Sequence, residues 1–309
     1  MRPSTPRPRT RRIVLLAAAA VAAIPVIAGT AFAATRPAQP ATPDAASGSV
    51  AGARYGADAV RAAGAAADRF RADRAANQPN AIGPAAVLHN AWGVFPTPGI
   101  TGVTATHTIN PGVRLSKGGD VLYTPTMKPP TNSCIEVVTE YSTGTPQIWA
   151  WDWCGSDAPA VEVNVDKRFV STYGTKVNGL LSYTVRIERT NTAANRWTAR
   201  LFNQVKKAWD TLFVSAGTDK SGTSGGWDVY EFYSATNPAT GHTYVCDDIA
   251  RTRMVLESQS ISVKNGGRWT PATPANSFFN PAQPNPADYR CPAVKFQVRH
   301  ANNSWLVSE

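Results

Sequence analysis

The chain is poor in the residues that hold metals. Four histidines and four cysteines are spread over 309 residues, and no two cysteines form a CxxC pair. His89, His107, His242 and His300 are scattered without ligand spacing. Structural and catalytic zinc sites need such residues clustered, so neither a metal nor a cofactor is expected. Beyond residue 33 no apolar run is long enough to span a bilayer. No basic cluster remains there to make a nucleic-acid footprint. From about Asn90 onward no long helical periodicity appears either, which excludes a bundle.

What is present begins with a leader. Five arginines and no acid precede an apolar run from Ile13 to about Thr30, and Ala31-Phe32-Ala33 offers small residues for a cut before Ala34. This pattern predicts a signal peptide over 1–33. Export would follow the Sec route or, given Arg11-Arg12 before Ile13-Val14-Leu15, the bacterial twin-arginine route. Losing five arginines lowers the formal charge from +10 to +5. The apparent basicity is therefore largely a targeting feature. The expected protein is extracellular, without membrane attachment after cleavage, and is taken as a monomer.

Cys134, Cys154, Cys246 and Cys291 form an even set, which in a secreted chain predicts two disulfides. Three pairings are possible. Cys134–Cys154 and Cys246–Cys291 are favoured because each closes a local loop.

Residues 34–55 are rich in Ala, Pro, Gly and Ser and read as a linker. Residues 57–76 read as an Ala-rich helix with interleaved Asp and Arg, and with few large apolar residues beyond Val60 and Phe70. Segment 34–90 is thus a spacer or a pro-segment capping a cleft; a pro-segment would be lost on acidification. The folded domain is expected over 91–309. There, Thr, Val, Tyr, Trp, Gly and Pro dominate and short alternating runs are separated by turn residues. Strands are expected near 100–109, 119–127, 134–141, 146–153, 160–170, 180–189, 196–204, 207–214, 226–234, 243–249, 252–263, 293–299 and 304–308. The fold class is all-β: an antiparallel two-sheet sandwich of jelly-roll or concanavalin-like form.

The densest chemical signal is "CIEVVTEYSTGTPQIWAWDWC", read as a hairpin. Its second strand places Gln147, Trp149, Trp151 and Trp153 on one face. Its first strand places Glu136 and Glu140 with Val138, opposite Ile135, Val137 and Tyr141. A second signal is "GGWDVYEFYS", where Glu231 shares a face with Trp227, Val229 and Tyr233. A carboxylate in an aromatic row either works in a cleft or is tied by a buried partner, for which Arg186 and Arg200 are candidates. Two carboxylates over an aromatic floor can have their pKa values pushed apart, one acting as acid and one as base.

These stretches resemble the glutamic peptidases, the eqolisin and neprosin-like families. "GITGVTATHTINP" resembles their opening strand. "CIEVVTEY" followed by "IWAWDWC" resembles their strand bearing the first catalytic residue and the Trp-rich strand after it. "GGWDVYEFYS" resembles the strand carrying the second. Asn90-Ala91-Trp92-Gly93 stands where the family has its opening Asn-Trp segment. The resemblance implies a secreted β-sandwich that cuts polypeptides at acid pH with a Glu–Gln or Glu–Glu pair. It implies Glu136 and Glu231 as catalytic, with Asp228 as the alternative to Glu231. Gln147, Trp149, Trp151, Trp153 and Trp227 would line the substrate cleft.

Three rivals compete. Ser224 in "GTSGG", with His107 and either Asp152 or Asp166, permits a serine-protease order. Glu162, Asn164 and Asp166 alternate on one strand as acids do in sandwich glycosidases. The Trp row alone would suit a non-catalytic module that binds sugar rings or extended peptides. The partner expected is an extracellular polypeptide or polysaccharide.

Overall fold

The structure is a computed structural model that describes residues 50–76 and 87–309. The expected signal peptide at 1–33 lies outside the described residues, as do 34–49 and 77–86.

Period-two alternation sends the two faces of each strand to different places. In Ile135–Tyr141, the side chains of Ile135, Val137 and Tyr141 enter the main core, while Val138 turns to the opposite face. In Gln147–Asp152, Ile148 and Ala150 go inward, and Trp149 and Trp151 go outward. In Trp227–Ser234, Tyr230 and Phe232 go inward and Tyr233 outward. The strand faces read from the sequence are those of the folded chain.

The first sheet runs from edge to edge as Arg54–Tyr55, Ala158–Asn164, Gln147–Asp152, Ile135–Tyr141, Val121–Lys128, Trp227–Ser234, Leu88–Pro96 and Ser277–Asn280. The second runs as Ala208–Ser215, Arg196–Asn203, Leu180–Asn191, Gly102–Thr108, Leu256–Asn265, Ser304–Ser308 and Lys295–His300. Their strand pairs are antiparallel. The sheets pack as a sandwich over one apolar core to which Val103, Val185, Ile187, Trp197, Ile261 and Trp305 contribute from the second sheet. Disulfides join Cys134 to Cys154 and Cys246 to Cys291, the local pairing expected.

Three local expectations change. Residues 243–249 were expected as a strand, yet Tyr244–Thr252 is a helix. Thr243 caps it by accepting from the Cys246 amide, and Val245 and Ile249 bury one helical face at four-residue spacing. The strand expected over 160–170 ends at Asn164, because Asp166 accepts from the Phe169 amide and starts the helix Lys167–Tyr173. A strand that composition had hidden, Leu88–Pro96, begins ahead of the expected domain boundary and pairs with Trp227–Ser234.

A polar tie crosses the core. Asp228 Oδ2 lies 2.9 Å from His107 Nε2 on the other sheet, and its Oδ1 accepts from Trp305 Nε1 at 2.9 Å. All three side chains are buried. Trp305 also donates to the Asp228 backbone carbonyl, so loss of the carboxylate strands His107 alone. Asp228→Ala is therefore expected to lower stability by about 2–3 kcal/mol in urea denaturation, the cost of one unpaired buried polar group and its lost packing.

Candidate active site

The outward face of the first sheet carries a second apolar cluster: Val121, Tyr123, Val138, Trp149, Trp151, Trp153 and Tyr233. Helix Ala57–Ala76 roofs it through Ala63, Ala67 and Phe70. The Trp row therefore belongs neither to the inter-sheet core nor to an open platform. Besides Glu162, which Arg54 pairs at the sheet edge, three carboxylates stand on this face, and their surroundings differ.

Glu136 is tied on both oxygens. Its Oε1 accepts from Thr126 Oγ1 and from Trp227 Nε1, and its Oε2 from Trp153 Nε1, each at 2.9 Å. It sits opposite Trp151 on the neighbouring strand. Three expected cleft residues, Trp151, Trp153 and Trp227, are thus gathered around it.

Glu231 lies elsewhere along the sheet. Tyr233 donates to its Oε1 at 3.1 Å, and His89 Nε2 lies 2.8 Å from the same atom. The His89 ring stacks on Tyr233 with centroids 4.1 Å apart. Glu231 does not pair with either arginine proposed from the sequence. Arg200 bonds Glu188, and Arg186 stacks between Trp209 and Trp269 on the other sheet. A bulge beside Glu231 leaves Thr124 out of the ladder. Its hydroxyl accepts from the Glu231 amide at 3.0 Å and donates to the Glu231 carbonyl at 2.9 Å. Bulges of this kind re-aim a side chain, and here a hydroxyl replaces the missing ladder partner.

Register then aligns a third carboxylate with Glu231. Glu231 is opposite Tyr123, and Tyr123 is opposite Glu140. The three make one row across adjacent strands on the outward face. Strand spacing separates the two acid-bearing backbones by roughly 10 Å, with both side chains on the same side. Glu136 lies four residues further along its strand, roughly 13 Å from this row. Glu140 is buried, and its Oε1 has no hydrogen-bond partner. Burial pushes its carboxyl up to about 8; the Ser142 hydroxyl opposes this and the charge of Glu162 adds to it. Burial likewise holds the Tyr123 phenol well above its usual range, with the neighbouring glutamates adding to the effect. A cavity of about 290 Å³ opens beside Glu140 between helix and sheet, lined also by Gln147, Asp120, Arg69 and Ser142.

The rival constellations are dispersed. His107 is bound to Asp228 inside the sandwich. Asp152 accepts from Ser215 and from the Cys154 amide, Asp166 caps a helix, and Ser224 sits in a loop where its carbonyl accepts from Thr131. Glu162 is ion-paired with Arg54. Among the described residues no three His, Cys, Asp or Glu side chains are grouped to hold a metal.

Sequence reasoning passed over Glu140, His89 and Tyr123. Glu140 was seen on the face of Glu136, but nothing local could say which of the two would stand level with Glu231. That depends on register across three strands.

No protein-family model matches the chain, and no curated protein matches it. Among solved structures it is similar to Scytalido-glutamic peptidase with a peptide-based transition state analog, at 12% identity and TM-score 0.35, covering 72% of this chain and 98% of that one. It is also similar to SCP-B, a member of the eqolisin family of peptidases in complex with the tripeptide Ala-Ile-His, at 11% identity and TM-score 0.37 with the same coverage. Scores at this level carry no argument about activity.

The glutamates should respond differently to amide substitution. Glu136→Gln sets an amide group against N–H donors, and is expected to cost about 1–3 kcal/mol at any pH. Glu140 keeps its proton in the folded chain up to about 8, whereas its unfolded reference is 4.5. The unfolded state therefore binds fewer protons in that window, and stability falls as pH rises from 4.5 towards 8. Glu140→Gln should abolish that decline, worth on the order of a few kcal/mol. Urea unfolding of wild type and both variants at pH 5 and pH 8 measures it.

Proposed function

We propose that this chain is a glutamic endopeptidase in which Glu140 and Glu231 form the acid–base pair and Tyr123 stands between them. The observation that carries the reading is the single row Glu140–Tyr123–Glu231 on a covered, aromatic sheet face. Glu136, which the resemblance implied as the first catalytic residue, instead holds the rings of Trp153 and Trp227 in place.

The chemistry follows from the surroundings. A substrate peptide lies across the row with its carbonyl carbon between the two carboxyl groups. Glu231 accepts a proton from water, and the water oxygen bonds to the carbonyl carbon. Glu140, protonated because it is buried, donates to the carbonyl oxygen, and the neutral Tyr123 phenol adds a second donor. The tetrahedral adduct then collapses: the C–N bond breaks, Glu231 passes its proton to the leaving amine, and the carbonyl oxygen returns its proton to Glu140. Tyr123 already donates to a carbonyl in this structure, that of Ala66 in the roofing helix, at 3.4 Å.

Secretion is part of the same proposal. It is supported by the leader-like residues 1–33 and by two disulfides, which form in oxidising compartments. No helix among the described residues is long and apolar enough to cross a membrane.

The test is cleavage of denatured protein and quenched peptides across pH 3–8. Glu231→Gln is expected to lower turnover by about 10²–10⁴-fold, the range of a lost general base. Glu140→Ala should do the same. Glu140→Gln keeps a donor at the carbonyl oxygen and should lose roughly tenfold less, while flattening the basic limb of the pH profile. Absence of cleavage by wild type throughout this range, or full activity in Glu231→Gln, would refute the proposal.

A further inference from the structure

We infer that Tyr123, Trp151 and Tyr233 form a side-chain pocket that selects a bulky aromatic residue of the peptide substrate, and that Phe70 of the chain's own helix fills it in this structure. The inference rests on the peptidase reading above and adds its substrate class.

The pocket is defined by three edge-on ring contacts. The Phe70 ring lies 4.7 Å from that of Tyr123, 4.8 Å from Trp151 and 5.5 Å from Tyr233, at interplanar angles of 68°, 67° and 86°. Edge-to-face packing needs a ring on both sides. A leucine would fill some of the volume without that electrostatic match, and an alanine would leave it open. One wall, Tyr123, is the middle member of the Glu140–Tyr123–Glu231 row. The side chain in the pocket is therefore next to the bond that the two carboxyl groups would flank.

The helix that brings Phe70 is a poor permanent roof. Its other buried contacts in this cluster are the methyl groups of Ala63 and Ala67. Gly64 breaks the helical backbone at φ 50°, ψ −138°. Two of its hydrogen bonds with the sheet are long, 3.4 Å from Tyr123 to the Ala66 carbonyl and 3.5 Å from Gln147 to the Ala62 carbonyl. Phe70 is the one large side chain by which residues 57–72 enter the cluster.

Two polar groups beside the pocket also remain unmatched. Trp151 Nε1 is a buried donor without a partner, and Glu140 Oε1 is a buried acceptor without one. Native proteins rarely leave such groups unpaired. The helix as placed satisfies neither, although its Ala66 and Ala62 carbonyls accept from Tyr123 and Gln147. An extended peptide brings free N–H and C=O groups at every residue. The pocket is thus filled with the right ring on the wrong backbone.

The experiment separates pocket from catalysis. Two heptapeptides that differ only by Phe or Ala at one position are titrated into full-length Phe70→Ala/Glu231→Gln, followed by tryptophan fluorescence. The Phe peptide is expected to bind at least tenfold more tightly, and adding Trp151→Ala should remove the difference. Equal binding of the two peptides overturns the inference. In parallel, Phe70→Ala with Glu231 intact should cut the Phe peptide at least tenfold faster than the Ala peptide, and faster than the unsubstituted chain does. Cleavage without aromatic preference overturns the pocket and leaves the peptidase reading standing. Phe-selective binding with no cleavage at pH 3–8 supports the pocket and overturns the peptidase reading. Melting curves are taken first, and Phe70→Leu replaces Phe70→Ala should the latter unfold.

Discussion

A carboxyl group covered by apolar side chains must find donors or keep its proton. The outward face of the first sheet puts this constraint on Glu136, Glu140 and Glu231, besides Glu162, which Arg54 pairs. It resolves them differently because their neighbours differ. Glu136 has three donors and is locked. Glu231 has Tyr233 and His89 at one oxygen and remains at the margin of the cluster. Glu140 has an empty oxygen and stays protonated. The difference between the last two is what an acid–base pair requires.

The roof also bears on the reading of the Trp row as an open binding platform. A platform for sugar rings needs its tryptophans presented to solvent. Here Trp149 and Trp151 are buried, Trp149 Nε1 is used by Gln147, and Phe70 occupies the remaining ring surface. What is left at the edge of the roof is a cavity with Glu140 in its lining. That placement suits a cleft whose polar centre matters more than its aromatic floor.

Local pattern made much of this visible. Alternation alone assigned the faces of the Trp row and of Trp227–Ser234, and loop closure alone favoured the two disulfides. The helix at 57–76 and its sparse apolar content were readable from alanine and from Phe70. Pairing was not readable. Whether Glu136 or Glu140 meets Glu231 turns on a bulge at Thr124 and on a strand, Val121–Lys128, that lies between them in space. The contribution of His89 was hidden because Leu88–Pro96 follows a segment whose composition reads as linker. The strand forms where it does because Trp227–Ser234 offers it an open edge and its Trp92 and Val94 reach the main core. "TATHT" and "TSGG" looked catalytic because their letters match a triad. His107 is instead half of a buried tie between the sheets, a role that needs a partner 121 positions away.

Roof and proton are linked thermodynamically. Burial beneath the helix raises the affinity of Glu140 for its proton, so protonation must in turn favour the covered form by the same free energy. Acidification therefore strengthens the roof through this residue, and loss of the segment in acid would have to overcome that term. A second carboxylate holds the other end of the segment. Arg54 pairs with Glu162, which is buried beneath the edge strand that leads into the helix. That ion pair, the short ladder with Ala158–Asn164, and the Tyr173 hydroxyl, which accepts from the Ala51 amide, hold the edge strand in place. The segment is thus fixed to the sheet at two places, and its release has to break an ion pair at one end and uncover a protonated carboxyl at the other.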